Sequence, residues 1–497
     1  MQLKDLAKLL LRKELLGDGE VEISGMTEDS RTTQPGDLFV AFRGDHQDGH
    51  QYAQQAVDKG AVAVLAEYPL DVAVAQLIVP STRRVTPLLA HALYGYPARA
   101  LSVIGVTGTN GKTTTTMFIE QILQDHGKAT GLIGSVELRA SNGELKTKSI
   151  TTPTTPMPVE FARVLREMAD LHTDYVVMET SSHALVQGRS AGVAYRVAVF
   201  TNLTQDHLDY HRTMEAYGQA KGLLFSRLGN DYAPCADGFL PVAVLNADDA
   251  WSEVYAEGTV QQVLTYAIDK EADVRATDVQ ISGDGVTFAL HAYAGDARVK
   301  LQMTGRFSVY NALAAATTCL ALGLPLATIV QSLERIQGVP GRFEPVLAGQ
   351  PYTILVDYSH TPDSLENALT TVREFVTGKV ITVVGCGGDR DRTKRPIMAR
   401  VATQYSDLTV LTSDNPRTED PETILDDMEV AIKDSAKGKY VREVARAEGI
   451  RMALAHAQPG DVVLIAGKGH ETYQIIGKTY HDFDDRVVAA EIVRGER

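Results

Sequence analysis

Residues 102–117 read SVIGVTGTNGKTTTTM. Ser102 to Val106 is a short apolar, β-branched run and reads as a buried strand. Gly108-Thr109-Asn110-Gly111 turns the chain, and Lys112 and Thr113 open a helix through roughly His126. Strand, glycine-rich turn, Lys-Thr and helix are the parts needed to hold a nucleoside triphosphate. Glycines let backbone N–H groups crowd around phosphate oxygens, and the helix N-terminus adds its positive dipole end. Lys112 reaches the β- and γ-phosphates, the Thr113 hydroxyl is placed to ligate Mg²⁺, and Thr114 follows in the same first turn. The G-x-x-G-K-T spacing is shorter than the usual one, with Val106 where the first glycine would fall. A plain turn before a core helix is the competing reading; strand and helix both lying where phosphate binding needs them speaks against it.

Outward from this stretch, residues 99–337 read as one α/β unit. Thr151-Thr152-Pro153-Thr154-Thr155-Pro156 is irregular because of its two prolines. Its hydroxyls suit a substrate contact, and the residues alone fit a linker equally. Tyr175–Glu179 is an apolar strand ending in a carboxylate, the pattern that places an acid beside a nucleotide's metal. Ser181, His183, Gln187 and Arg189 follow that strand's end, facing the crevice where α/β sheets bind ligands. Val197–Thr201 is another strand, followed by NLTQDHLDYH. Two Asp and two His within six residues there favour a metal or phosphate role. A helix over about 214–228 carries Lys221, by itself a surface lysine. Val286–Ala292 and Val299–Met303 alternate like edge strands, and residues 305–312 lead into an alanine-rich helix.

The flanks add two more units. Residues 1–98 read as a small α/β domain, with an amphipathic helix on Leu3, Leu6, Leu9, Leu10 and Leu16 and a solvated turn at Asp29-Ser30-Arg31. Gly338-Val339-Pro340-Gly341 is the strongest linker signal. Residues 338–497 alternate strands and helices again, predicting a second parallel sheet. Polar clusters end its strands: Asp357-Tyr358-Ser359-His360, Gly387 to Arg392, Asp414-Asn415-Pro416-Arg417 and Gly467 to Glu471. Four such clusters on one sheet edge favour a binding site over ordinary loops.

Composition bounds the rest. A chain of 497 residues suggests three domains at about 100–200 residues each. A net charge of −15 argues against non-specific nucleic-acid binding and against docking on an anionic membrane. Cys235, Cys319 and Cys386 are scattered, which fits a reducing cytosol and no structural zinc. The charged N-terminal stretch does not read as a signal peptide, and no apolar run is long enough for membrane insertion.

Taken in order, GTNGKTT, ETSSH, NLTQDHLDYH, GRFE, DYSHTPD, GCGGDRDRTKRP, SDNPRTE and AGKGHE resemble the Mur ligase family. The match runs through nearly the whole chain. The resemblance implies an N-terminal domain (1–98) holding a UDP-sugar, a central P-loop ATPase-type parallel sheet (99–337) and a C-terminal Rossmann-like domain (338–497) for the incoming amino acid. It implies an ATP-dependent amide ligase. The small-molecule substrates would be UDP-MurNAc-dipeptide and meso-diaminopimelate, and the protein a cytoplasmic monomer.

Carried over by position, the resemblance gives Ser30, Thr151, Thr152, Ser181, Gln187 and Arg189 to the UDP-substrate. Gly108, Thr109, Asn110, Gly111, Lys112, Thr113, Thr114, Asn311, Arg342 and Asp357 fall to ATP. Thr113, Glu179 and His207 would hold Mg²⁺, joined by Lys221 as a CO₂-derived carbamate; Lys112, Glu179, His207 and Lys221 form the catalytic set. Arg390, Asp414, Asn415, Pro416, Arg417, Gly467 and Glu471 fall to the amino acid. Ile150, Ser308 and Ser359 depart from the family's commoner residues. Rival readings are an L-lysine-adding member, a folylpolyglutamate synthetase, and an ATPase that moves a partner without an acceptor amino acid.

Overall fold

The computed structural model describes residues 1–44, 48–147, 154–230, 232–282 and 285–496. Strand Ser102–Thr107 is buried along its whole length. It pairs in parallel with Tyr195–Phe200 on one side and Tyr175–Glu179 on the other. Beyond these lie Val242–Asn246, Gln262–Ala267 and Val274–Ser282 in one direction and Thr130–Ile133 in the other, all parallel. The chain thus leaves Ser102–Thr107 first toward one edge and later toward the opposite edge. That is a topological switch point, and the crevice it opens lies at the strands' C-terminal ends.

Alternation along the strands feeds two cores. Ile104, Val106, Val177 and Val199 pack with helix Arg306–Ala321 and with Phe118 and Ile122 of helix Lys112–Asp125. Val103, Val176, Met178 and Phe200 pack on the other face with Phe161, Tyr217 and Tyr255. Both faces are covered, so the parallel strands are mostly apolar along their length, as a sheet between two helical layers requires, with Arg196 a buried exception.

Two details differ from expectation. Gly285–Ala292 is not an edge strand: it lies antiparallel between Val274–Ser282 and Gly295–Leu301, and only the latter ends the sheet. Its alternation reflects one buried face and one wet face. The N-terminal helix is short, Leu3–Lys8, with Leu3 and Leu6 buried and Leu9 exposed. Leu16 instead ends strand Glu14–Leu16, antiparallel to Ala75–Ile78, within a five-stranded sheet with Ala63–Ala66, Asp37–Val40 and Gly25–Thr27.

A third, six-stranded sheet runs Glu344–Pro345, Thr353–Asp357, Val462–Ala466, Val380–Val384, Leu408–Leu411, Tyr440–Arg442. The last five are parallel. Beneath the C-terminal ends of two of these strands, Arg446 is fully buried. It forms two hydrogen bonds of 2.7 Å to Asp485 and reaches the Ser413 and Ala466 carbonyls. Burial works against the Arg446 charge, and Asp485, with Asp414 and Glu471 behind it, keeps the guanidinium above its ordinary value.

Breaking a buried pair strands the remaining charge, at a cost of about 3–5 kcal/mol. Asp485→Ala is therefore expected to lose that much stability in the C-terminal unit, read as faster amide exchange of strand Val462–Ala466. An apolar pair at both positions should recover most of the loss.

Candidate active site

Thr107 ends its strand and the glycine-rich turn follows. Gly111 caps helix Lys112–Asp125 at φ +84°, and a Cβ there would collide with Asn311 Oδ1. Asn311 also accepts from Thr115 at 3.3 Å, which ties the turn to helix Arg306–Ala321. The turn is fastened to the neighbouring strand end: Thr109 N–H donates to the Asn202 carbonyl (2.8 Å) and Asn110 N–H to Asn202 Oδ1 (2.9 Å).

Two lysines converge on one carbonyl of this turn. Lys112 Nζ donates to Gly108 O at 3.0 Å and Thr109 O at 2.8 Å. Lys221 Nζ donates to the same Gly108 O at 2.7 Å. Lys221 is no surface lysine: it is 1% exposed, over the Tyr217 ring at 4.5 Å, and among the described residues no ion pair holds it. Burial, reinforced by Lys112, pushes the Lys221 ammonium well below its ordinary value. Burial also lowers Lys112, against the pull of Glu179 and Asp206.

Glu179, at the end of its strand, is 1% exposed. Its Oε1 accepts from Thr113 Oγ1 (3.0 Å) and Ser135 N–H (2.9 Å), and its Oε2 from Ser135 Oγ (3.1 Å). Arg342 Nη2 meets the same Thr113 hydroxyl at 3.4 Å while its guanidinium lies 4.7 Å over Tyr358. His207, at φ +53°, sits 3.3 Å from Asp206 and packs edge-on to His183 at 4.8 Å. Asp357 is buried and engaged: Oδ2 accepts from Phe343 N–H at 2.9 Å and Oδ1 from the Ser359 hydroxyl. Burial raises its carboxyl against Arg342. Thr114 is buried in the first helical turn. Among the described residues no three His, Cys, Asp or Glu side chains converge as a metal cage.

The residues expected at the UDP-substrate fall in two places, around Thr155 and around Ser30. Ser181 caps helix Ser182–Gln187 and its N–H meets Thr155 Oγ1 at 3.1 Å. Arg189 joins Gln187 Oε1 (2.9 Å) and Thr155 O (3.1 Å). Ser30 is buried and donates to Gln55 at 2.8 Å. Glu28 accepts Val159 N–H across the domain junction, and burial pushes its carboxyl up to about 7. Thr151 and Thr152 lie outside the described residues.

The third sheet's edge gathers the remaining set. Asn415 Nδ2 donates to Glu471 Oε2 (2.8 Å), and Asn415 Oδ1 accepts from Ile475 N–H (2.9 Å). Arg417, half-buried at φ +53°, points Nη1 at Gly388 O (2.9 Å), and no carboxylate among the described residues pairs with it. Gly387 is the meeting point of Arg417 and Arg390, and a Cβ on Gly388 would collide with the Pro416 carbonyl. Gly467 abuts Asp414. Arg390 itself is exposed. A cleft of about 530 Å³ runs from Ser135 of the central unit to Glu471 and Tyr473 of the third. It brings the neighbourhood of Glu179 and the neighbourhood of Asn415 onto one space.

Sequence reasoning missed Ser135, Asp363 and Lys468. Ser135 follows a strand end, and Asp363 opens a helix in DYSHTPD, accepting from Asn110 (3.1 Å) and Thr204 (2.8 Å) across the domain boundary. Lys468 stands inside AGKGHE, where its glycine neighbours drew the attention.

Comparison with known proteins follows this geometry. The Mur ligase middle domain matches residues 106–319, the Mur ligase glutamate ligase domain 341–469, and the Mur ligase family catalytic domain 22–93. A UDP-N-acetylmuramoyl-L-alanyl-D-glutamate–2,6-diaminopimelate ligase of Geobacillus thermodenitrificans is 51% identical over 96% of each chain. One of the same name from Bacillus velezensis is 47% identical over 99% of each. A solved structure of a ligase of that name superposes with TM-score 0.68 at 31% identity, covering 100% of this chain and 99% of the other.

The turn's geometry carries a consequence for nucleotide binding. Gly111→Ala adds a side chain at positive φ and against Asn311, a strain of about 1–3 kcal/mol. The variant should bind ATP about 10-fold more weakly or worse by calorimetry, and its melting temperature should fall in keeping with that strain.

Proposed function

The chain belongs to the Mur ligase family, and we propose that it joins meso-2,6-diaminopimelate to the D-Glu γ-carboxylate of UDP-N-acetylmuramoyl-L-alanyl-D-glutamate, driven by ATP, in peptidoglycan precursor synthesis. Relatives named for that reaction match along nearly the full length. What carries the choice of amino acid is Arg417: a fixed guanidinium with no carboxylate partner among the described residues, in a corner where Asp414 and Glu471 also act on Tyr473. Diaminopimelate ends in a carboxylate and an ammonium; lysine ends in an ammonium alone. A two-pronged cation rewards only the former. Matches to the N-terminal domain and across the whole chain speak against a folylpolyglutamate synthetase, and an amino-acid pocket speaks against a motion-coupled ATPase.

The chemistry asks the site to gather anions. A carboxylate is a poor acyl donor at neutral pH. Transfer of the γ-phosphoryl group makes an acyl phosphate and ADP; the incoming amine then attacks the acyl carbon, and the tetrahedral intermediate releases phosphate and leaves an amide. Lys112 and Arg342 stand where charge builds on the phosphoryl oxygens, preorganised by Gly108, Thr109 and Tyr358. Asp414 and Glu471 hold the distal ammonium, so that the reacting amine faces the cleft toward Ser135. We assign residues 1–98 to the UDP-sugar, 99–337 to ATP and 338–497 to the amino acid.

Thr113 and Glu179, a hydroxyl and a carboxylate 3.0 Å apart, are hard oxygen donors of the kind Mg²⁺ takes alongside substrate phosphates; to them we add His207, which packs against His183 and Asp206. Bound there, Mg²⁺ would neutralise phosphate charge. Lys221 fits carbamylation for a stated reason: CO₂ reacts with the free amine, forming an N–C bond and releasing a proton. Burial and Lys112 favour the free amine, and the resulting anion is welcome beside Lys112. The nucleotide-linked substrates place the reaction in the cytoplasm, and we read the chain as a monomer there. No helix among the described residues is long and apolar enough to cross a membrane.

Lys221→Ala should lose activity and regain part of it with a short-chain carboxylic acid; a plain ammonium mass on Lys221 in fully active enzyme would defeat the carbamate. Wild type should favour meso-diaminopimelate over L-lysine in kcat/KM. Arg417→Ala should narrow that preference by about 10- to 150-fold, the equivalent of a charge-assisted contact of about 1.5–3 kcal/mol. A wild-type preference for L-lysine would overturn the assignment.

A further inference from the structure

Lys468 is fully buried, yet its ammonium is not spent on the backbone. Nζ lies 2.9 Å from Glu471 Oε2 and 3.2 Å from Asn415 Oδ1, with the Tyr473 ring at 5.5 Å. Glu471 Oε2 thus takes both Lys468 and Asn415. Its Oε1 has no hydrogen-bond partner among the described residues, and the residue lines the cleft. Nearby, Asp414 Oδ1 takes its charge-assisted bond from Asn415 N–H at 2.6 Å. Arg446 is matched by Asp485.

The charges of this corner can therefore be paired off. Arg446 cancels Asp485 and Lys468 cancels Glu471. Of the charges that act on Tyr473, what is left is one carboxylate, Asp414, and one guanidinium, Arg417; Arg390 is exposed to water, which screens its charge. A pocket with one free anion and one free cation is complementary to a terminus that also carries one of each. Without Lys468 the corner would hold an uncancelled second anion. That field would favour a terminus bearing only an ammonium and repel one that brings a carboxylate.

We propose that Lys468 is a specificity-determining residue: by cancelling Glu471 it sets the pocket's net charge to zero, and so selects an amino acid with a zwitterionic end over one with a plain ammonium end. The inference deepens the functional reading above and rests on it. Lys468 touches Glu471 and Asn415, not the reacting atoms, so it is a positioning residue whose action is electrostatic.

The test is a ratio, because a partly unfolded preparation lowers both rates and leaves the ratio alone. In the full-length enzyme with ATP and UDP-MurNAc-dipeptide, kcat/KM is measured for meso-diaminopimelate and for L-lysine. Lys468→Met should lower the diaminopimelate-to-lysine ratio at least about 10-fold, the scale of one uncancelled charge at contact range in a partly buried site. Part of the change should be a gain for L-lysine. Lys468→Gln, which keeps a donor for Asn415, serves in its place if the methionine variant does not fold. Lys468→Met with Glu471→Gln restores the charge balance and should return the ratio toward wild type. An unchanged ratio in the single variants, or a double variant no better than the single, overturns the proposal. Wild-type preference for L-lysine would instead overturn the functional assignment, so the two failures are told apart by the first measurement.

Discussion

The carbonyl oxygen of Gly108 accepts from two lysines, Lys112 at 3.0 Å and Lys221 at 2.7 Å. One carbonyl is a weak partner for two amines in a place from which water is largely excluded. Burial acts on both amines, Lys112 adds to it at Lys221 and Arg342 at Lys112, and both are lowered. The turn is thus held in a state that gains from any polyanion brought to it. This is a stored electrostatic demand, and the surrounding fold can be understood as what keeps it from relaxing. Thr109 and Asn110 are fastened to Asn202, and Gly111 is pressed against Asn311. The two lysines come from helices on different strands' ends, so neither can withdraw without moving a core element.

The same demand explains how the third sheet is attached. Asp363 opens helix Pro362–Phe375 and accepts from Asn110 and Thr204, while Arg342 reaches Thr113. An acid and a base from the C-terminal unit thus touch both ends of the nucleotide turn. The cleft between Ser135 and Glu471 spans the same two units. An acyl phosphate formed on one side and an amine held on the other meet there only while the contacts persist.

Much of this was legible from residues. Strands Ser102–Thr107 and Tyr175–Glu179 announce themselves by the apolar runs within them, because a sheet covered on both faces leaves few polar positions. The polar clusters at strand ends mark one crevice for the same reason. Other features depend on distance across the chain. Nothing near Lys221 in sequence says that Gly108 lies 2.7 Å away, so the residue reads as a surface lysine until the helix Met214–Ser226 is packed. Ser135 and Asp363 sit in turns whose partners are tens or hundreds of residues distant. The N-terminal leucines misled by spacing alone: Leu16 falls in a strand because the helix ends at Lys8 and the chain reverses.

Buried arginines are the least legible feature and the one that fixes the amino-acid pocket. Arg395 is fully buried, gripping Glu419 in two bonds of 2.8 and 3.0 Å and Asp427 at 2.8 Å, and it holds the Glu419 carboxyl down to about 2. It also reaches the Gly387 carbonyl. Arg417 and Asp389 both sit at φ +53°, a region costly for residues with a Cβ. Such strain persists only where neighbours over-determine it. Here Glu419 is tied to Asp389 N–H, and Thr418 to its carboxylate. The hairpin Tyr473–Ile476 with Thr479–Asp482 binds the Arg417 backbone from the far side, through Ile475 O and Gly477 N–H. The carboxylate recognition we propose for Arg417 asks its guanidinium to arrive at one angle. The charges buried underneath are what hold its backbone in the strained conformation that gives that angle.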